Sequence, residues 1–360
     1  MQIFDPIHNF IPFTLLEEEL LSHPFLERLR HIYQLGPAFH VYPGATHSRF
    51  SHTIGVMHVA SELFDSVCSK MALFEDAPYY RQLVRIGALL HDVGHYPLSH
   101  TAELFLPKHE HMVAKIFQSG TFDSIFEKVA KAYQKDPLEA AKLIRQVALG
   151  EPTPLPFLSQ MVADPYFGAD RIDYLLRDSL YTGLNYGKVD LHHLIRSVYL
   201  KEDKTLAITP EGIPSCEALL LARHWMHERL YQHHRVRSLA YHYAHVIRAV
   251  LVKHHALEDL EAFNKIDDHT IFQALKEFPE HYTAILDPAV RVQAIKLPLT
   301  DLERVHKLVG DNRPLWIDMP HESDQTPFEG TRIRIEGEQT FWVYANETWL
   351  PTPSQKRSNV

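Results

Sequence analysis

YRQLVRIGALLHDVGH, residues Tyr80 to His95, decides how this chain reads. Its middle, Arg85 to Leu90, is apolar on most sides, as in a helix buried at the centre of a bundle. Gly94 and Pro97 then stop it. Directly after the apolar run stands the pair His91–Asp92. Burying an imidazole and a carboxylate together is costly unless something neutralises them. A divalent cation would do so, and imidazole nitrogen with carboxylate oxygen suits iron, manganese, magnesium or zinc. The dipeptide alone leaves a second reading open, a hydrogen-bonded pair that serves only the fold.

The flanks add to the pair. Upstream, HSRFSH supplies His47, Arg49 and His52, with His52 at the mouth of a helix that follows a Pro- and Gly-containing loop. Downstream, HDVGHYPLSH adds His95 one helical turn after His91, then His100. Histidine is in surplus, 26 of 360 residues, and this side chain both ligates metals and moves protons near neutrality. A further acid is required from elsewhere. Asp170 in GADRIDYLLRD is the best candidate, because it opens a helix whose next turns carry Arg171, Tyr174 and Asp178.

The rest of the chain reads as helices with small β elements. Asp5 to Phe13 is extended chain or a short hairpin, and LLEEELLSH and FLERLRHIYQL have amphipathic helical spacing. Residues 120–165 are helical but broken by EPTPLP, and VYLKEDKTLAI reads as a hairpin. A long helix is expected from about Ser215 to His255. Beyond Pro279 come short helices and then TRIRIEGEQTFWVYA, a hairpin candidate turning at Glu336–Gly337. The expected class is all-α, a helical bundle with small hairpins near 198–208 and 331–344. One unit over 1–275 and an α+β extension over 276–360 are expected.

Composition narrows the function classes. No run approaches the length of a membrane span, so a soluble cytoplasmic protein is expected. Cys68 and Cys216 form neither a CxxC element nor a disulfide framework. The formal charge of −9, from 36 basic and 45 acidic residues, argues against general nucleic-acid binding.

The chain resembles the HD-superfamily deoxynucleoside triphosphate triphosphohydrolases. The matching stretches run in family order: DPIH (Asp5–His8), RLRHIYQLG (Arg28–Gly36), YPGATHSRFSHTIGV (Tyr42–Val56), LLHDVGHYPLSH (Leu89–His100), His109–Glu110, DRIDYLLRD (Asp170–Asp178) and HERLYQH (His227–His233). The resemblance implies an HD-domain bundle in which His52, His91, Asp92 and Asp170 hold one or two divalent ions. It further implies that His95, His100 and His109 line the reacting centre, and that Arg49, Arg171, Tyr174, Arg223, His227 and Tyr231 surround a nucleotide. Gln34 and Leu35 match the pair that favours deoxyribose by crowding its 2′ position. The chain departs from the family at Glu103, where an aspartate is usual, and at Arg171, where a lysine is usual.

Physical chemistry supports the same assignments. Attack on a phosphate ester needs an activated water, and a divalent cation lowers the pKa of water while neutralising phosphoryl charge. A histidine near the metal, for which His100 is chosen, can protonate the leaving 5′-oxygen, with His109 and Glu103 orienting or relaying. Arg49 and Arg171 would clamp phosphates through forked hydrogen bonds. The expected partner is a nucleotide, with a homo-oligomer, dimer or tetramer, as the assembly. Alternatives are a phosphatase acting on nucleoside mono- or diphosphates and a catalytically idle nucleotide sensor.

Overall fold

Two long helices, α3 (Arg49–Cys68) and α4 (Ala77–Leu90), form the centre of the protein in the computed structural model, which describes residues 1–71, 76–303, 316–318 and 340–345. Ser48 caps α3, its side chain accepting from Ser51 N–H, so the helix starts three residues before His52 and sets that imidazole in its first turn. Leu83, Val84, Ile86, Leu89 and Leu90 of α4 are fully buried, as the apolar run predicts. The helix ends at Leu90, however, four residues short of Gly94. His91 and Asp92 thus occupy the turn beyond it.

Before this centre, β1 (Gln2–Asp5) and β2 (Asn9–Pro12) form the N-terminal hairpin, with Phe4 opposite Phe10, followed by α1 (Leu15–Leu21) and α2 (Pro24–Arg28). After it come α5 (His109–Gln118), α6 (Asp123–Ala132), α7 (Pro137–Leu149), α8 (Phe157–Ala163) and α9 (Ala169–Thr182). Helix α9 lies against α3, and the contact demands glycine at position 55. A Cβ there would stand 2.0 Å from an Asp173 carboxylate oxygen.

Helix α10 (Leu191–Ser197) leads into the expected hairpin, β3 (Val198–Leu200) paired antiparallel with β4 (Leu206–Ile208). The single long helix expected from Ser215 to His255 is in fact two, α11 (Ile213–Met226) and α12 (His234–Lys253), separated by a π-helical turn over His227–Tyr231. The extra residue per turn re-aims His227 and Tyr231, and such turns concentrate at functional sites. Short helices α13 (Leu260–Asn264), α14 (Asp268–Ala274) and α15 (Pro279–Leu286) follow. The last described elements form a sheet of order β5 (Gln293–Pro298), β7 (Thr340–Ala345), β6 (Trp316–Asp318). Of the expected hairpin at 331–344 the second strand is described, and it pairs with β5 and β6; residues 331–339 lie outside the described residues. The class is all-α with small sheets. No described helix is long and apolar enough to cross a membrane, and Cys68 and Cys216 are both free thiols.

A buried ion pair fastens the N-terminal segment to the centre. Glu17 of α1, fully buried, accepts from Arg85 Nε at 2.6 Å and from a terminal nitrogen at 2.6 Å, while Arg85 also donates to Ser61 Oγ and Pro12 O. Burial alone would raise Glu17, but Arg85 outweighs it and holds the carboxyl below its ordinary value of 4.5. The stabilisation is thus complete above that value and fades as pH falls through the lower folded one. Glu17→Ala is expected to cost about 3–5 kcal/mol at neutral pH in urea denaturation, because it strands a buried guanidinium. A loss as small as that of an exposed pair would show that Arg85 finds another acceptor.

Candidate active site

Four side chains from three separated segments meet where the start of α3, the turn after α4 and the start of α9 converge. Ligand atoms of His52, His91 and Asp170 all lie within 4.8 Å of one another. His52 Nε2 is 3.0 Å from Asp170 Oδ1, and His91 Nε2 is 3.9 Å from the same oxygen. Asp92 closes the ring, its Oδ1 3.4 Å from His91 Nε2 and its Oδ2 3.7 Å from His52 Nε2. The four metal candidates of the sequence reading are thus together in space.

The chemistry of this donor set fits a divalent cation. His52 Nδ1 bonds Asp173 Oδ2 at 2.8 Å and His91 Nδ1 bonds the Ala88 carbonyl at 2.7 Å. With Nδ1 held as the donor, each ring turns a lone-pair Nε2 toward the centre, and both Nε2 atoms are buried with no hydrogen-bond partner. Burial opposes protonation of His52, yet the carboxylates of Asp170 and Asp173 outweigh it and raise the imidazole to about 9. A proton and a cation thus compete for the same Nε2, and the centre favours positive charge. For Asp92, burial is again the largest influence and would raise it, but Arg49, His91 and His95 hold its carboxyl well below the usual range.

Asp173 is the residue the sequence reading missed. It lies one turn beyond Asp170, wholly buried, and accepts from His52, from His8 Nε2 at 2.7 Å and from both Nε and a terminal nitrogen of Arg177. Arg177 in turn reaches Asp5 Oδ2 at 2.7 Å. The DPIH stretch is therefore the outer support of His52. The i, i+3 spacing of Asp170 and Asp173 was the available signal.

Beside the four-residue centre lies a histidine cluster. His95 Nε2 is 3.2 Å from Asp92 Oδ1, and its ring stacks on His109 with centroids 3.6 Å apart. Burial, then Arg49 and His109, push the His95 imidazole well below its ordinary value, so it is neutral. Glu103 bridges the others, accepting from His109 Nδ1 at 2.8 Å and facing His100 Nδ1 at 3.1 Å. The His100 side chain is 62% exposed.

A cavity of about 130 Å³ opens next to His100, walled by Gln34 and Leu35, by Leu98 to Thr101, and by Tyr231 and α12. Gln34 Oε1 is buried without a partner. Asp178 is held from two sides, by His47 Nε2 at 2.8 Å and Tyr231 Oη at 2.7 Å. Tyr174 and His227 both set their rings edge-on to Tyr231, at 5.9 and 5.0 Å. Arg171 and Arg223 each carry buried N–H groups that lack a partner. Arg49 differs: it donates to Asp92 Oδ2 at 2.6 Å and to Ser99 Oγ at 2.8 Å, so these donors are committed to protein groups.

The comparisons agree with this geometry. Residues 49–174 match the HD domain and residues 189–291 match the HD associated region. The chain is similar to an uncharacterized protein of Methanocaldococcus jannaschii, 34% identical over 239 residues that make up 65% of this chain and 46% of that one. It is similar also to the deoxynucleoside triphosphate triphosphohydrolase SAMHD1 of Mus musculus, 28% identical over 369 residues, or 87% of this chain and 55% of the relative. The chain spans about half the length of these curated relatives. A crystal structure of a hypothetical protein from Aquifex aeolicus shares the fold, with a TM-score of 0.79 over 97% of both chains at 24% identity. The matched family regions, over the segments that build the joined His–Asp ring, lead to one statement: the chain belongs to the HD superfamily.

Proposed function

We propose that this protein is a metal-dependent phosphohydrolase that splits a deoxynucleoside triphosphate into deoxynucleoside and inorganic triphosphate. The observation that carries the reading is the link from the His52, His91, Asp92 and Asp170 ring to the cavity walled by Gln34, Leu35, His100 and Tyr231: Arg49 bonds both Asp92 and the cavity residue Ser99, and His95, beside Asp92, sets its ring edge-on to His100. The likeness to a relative named as a triphosphohydrolase supports it. A divalent ion held by the four ligands would supply Lewis acidity toward water and toward a phosphoryl oxygen.

The protein's own groups do the rest. Arg171 and Arg223, with unpartnered N–H groups, take the phosphate chain. Water attacks the α-phosphorus, the bond to the 5′-oxygen breaks, and His100 delivers a proton to that oxygen. Gln34 and Asp178 face the sugar, and Leu35 crowds its 2′ position. Arg49 orients Asp92 and reaches phosphate only if that pairing loosens.

Incubating the manganese-loaded protein with a deoxynucleoside triphosphate and identifying the products tests this. Triphosphate and deoxynucleoside are expected, and orthophosphate release would instead favour a phosphatase of nucleoside mono- or diphosphates. Retained metal with no turnover of any nucleotide would favour a sensor. The deoxynucleotide is expected to surpass its ribonucleotide in kcat/KM by roughly tenfold or more, the scale on which a pocket rejects one extra group. Equal values would remove the role given to Leu35.

A further inference from the structure

Asp268 is buried at the first position of α14, in the HD associated region and far in sequence from every residue of the site. Its Oδ2 accepts from Tyr33 N–H at 2.7 Å and its Oδ1 from Leu98 N–H at 2.6 Å. These two amides begin the stretches that form two walls of the cavity, Gln34 to Ala38 on one side and Leu98 to Thr101 on the other. One carboxylate therefore joins both walls.

The joined stretches are tightly apposed. Gly36 has a positive φ of 52°, and a Cβ there would meet Leu98 O at 2.7 Å and Thr101 Oγ1 at 2.5 Å. Leu98 and Ser99 also lie in the left-handed region, at φ 54° and 58°, a conformation unfavourable for residues with side chains. That turn immediately precedes His100. Other links hold it besides Asp268: Ser99 Oγ donates to Tyr33 O at 2.6 Å and accepts from Arg49 Nε at 2.8 Å, and Arg28 donates to His95 O at 2.7 Å. Burial pushes the Asp268 carboxyl up to about 7 against the pull of the two amides and of Arg28. A group kept at such a cost, with both oxygens committed to backbone at strained loops, fits a demand for geometry more than for packing.

We infer that Asp268 is a positioning residue that fixes the width of the nucleoside cavity and the placement of His100 by tying the Tyr33 and Leu98 backbones together. The inference rests on the nucleotide reading of the cavity. Its structural half, the coupling of the two loops, can be measured without it.

The test uses Asp268→Asn in the full chain, loaded with manganese. Asparagine keeps the size, but its amide must present N–H to one of the two backbone N–H groups, so one link fails. Amide exchange read by mass spectrometry is expected to quicken in both 33–36 and 98–101, with protection unchanged elsewhere and manganese content as in wild type. KM for the deoxynucleotide is expected to rise about tenfold, the scale of one lost buried hydrogen bond. Turnover of bis-nitrophenyl phosphate, which has no nucleoside and a leaving group that needs no proton, is expected to stay at the wild-type level.

Three results overturn the inference: undiminished protection in either stretch, quickened exchange throughout the chain, or an equal fall on both substrates. If Asp268→Asn does not accumulate folded, Asp268→Ser takes its place, and failure of both overturns it by making the carboxylate a folding requirement. If wild type turns over no deoxynucleotide, the reading of the site falls, and the exchange and ester measurements alone decide whether Asp268 couples the loops.

Discussion

Asp92→Ala is expected to empty the metal centre and lower turnover by roughly a thousandfold or more, since replacing even a supporting residue of such a centre costs 10–100-fold. The geometry explains the size of the effect. Asp92 touches everything: it lies within 3.7 Å of His52, His91 and His95 and pairs with Arg49 at 2.6 Å. Removing it deletes a ligand and leaves a buried guanidinium without its counter-charge, which costs about 3–5 kcal/mol of stability. Those two losses must be separated. Asp92→Asn keeps a hydrogen-bond acceptor for Arg49 while weakening the ligand, so it is expected to regain much of the thermal stability without the activity. Metal content by elemental analysis, kcat and a melting curve on both variants make the check. Full metal content and turnover in Asp92→Ala would remove the chemistry proposed for this site.

The sequence carried the centre of the bundle because burial leaves a compositional trace: Ile86 to Leu90 is apolar around its circumference, and His91–Asp92 follows it. Short-range signals also gave the β3–β4 hairpin, whose strands flank a polar turn. The helix break at His227–Tyr231 left no such trace. HERLYQH contains neither proline nor glycine, and its residues accept helical geometry, so the π turn is imposed by tertiary contacts such as that of Tyr231 with Asp178. The support of the site was illegible for a related reason. His8 meets Asp173 across 165 positions, and Asp268 meets Leu98 across 170, separations over which one sequence holds no periodic signal. Asp268, beside Asp267, reads locally as an acidic helix start and nothing more. Arg49 reads as a phosphate clamp because forked donors suit it, and nothing local in the sequence shows that its Nη1 bonds Asp92 and its Nε bonds Ser99.

His100 presents the second large effect. Among the three histidines of the cluster, His95 is fully buried and neutral, and His109 is stacked on it and tied through Nδ1 to Glu103. His100 alone of the three lines the cavity, and it has Glu103 at its Nδ1. Burial would raise Glu103, but His100 and then His109 hold it far below the carboxylate range, so it stays charged. A histidine open to the cavity, with this carboxylate at its Nδ1, is placed to give a proton to a departing 5′-oxygen. His100→Ala is therefore expected to lower kcat on a deoxynucleotide by about 10²–10⁴, the usual contribution of a general acid, with metal content intact. On bis-nitrophenyl phosphate, whose leaving group departs without a proton, the same variant is expected to lose far less. An equal loss on both substrates would move the acid elsewhere, and His109, one Glu103 oxygen away, would be the residue to replace next.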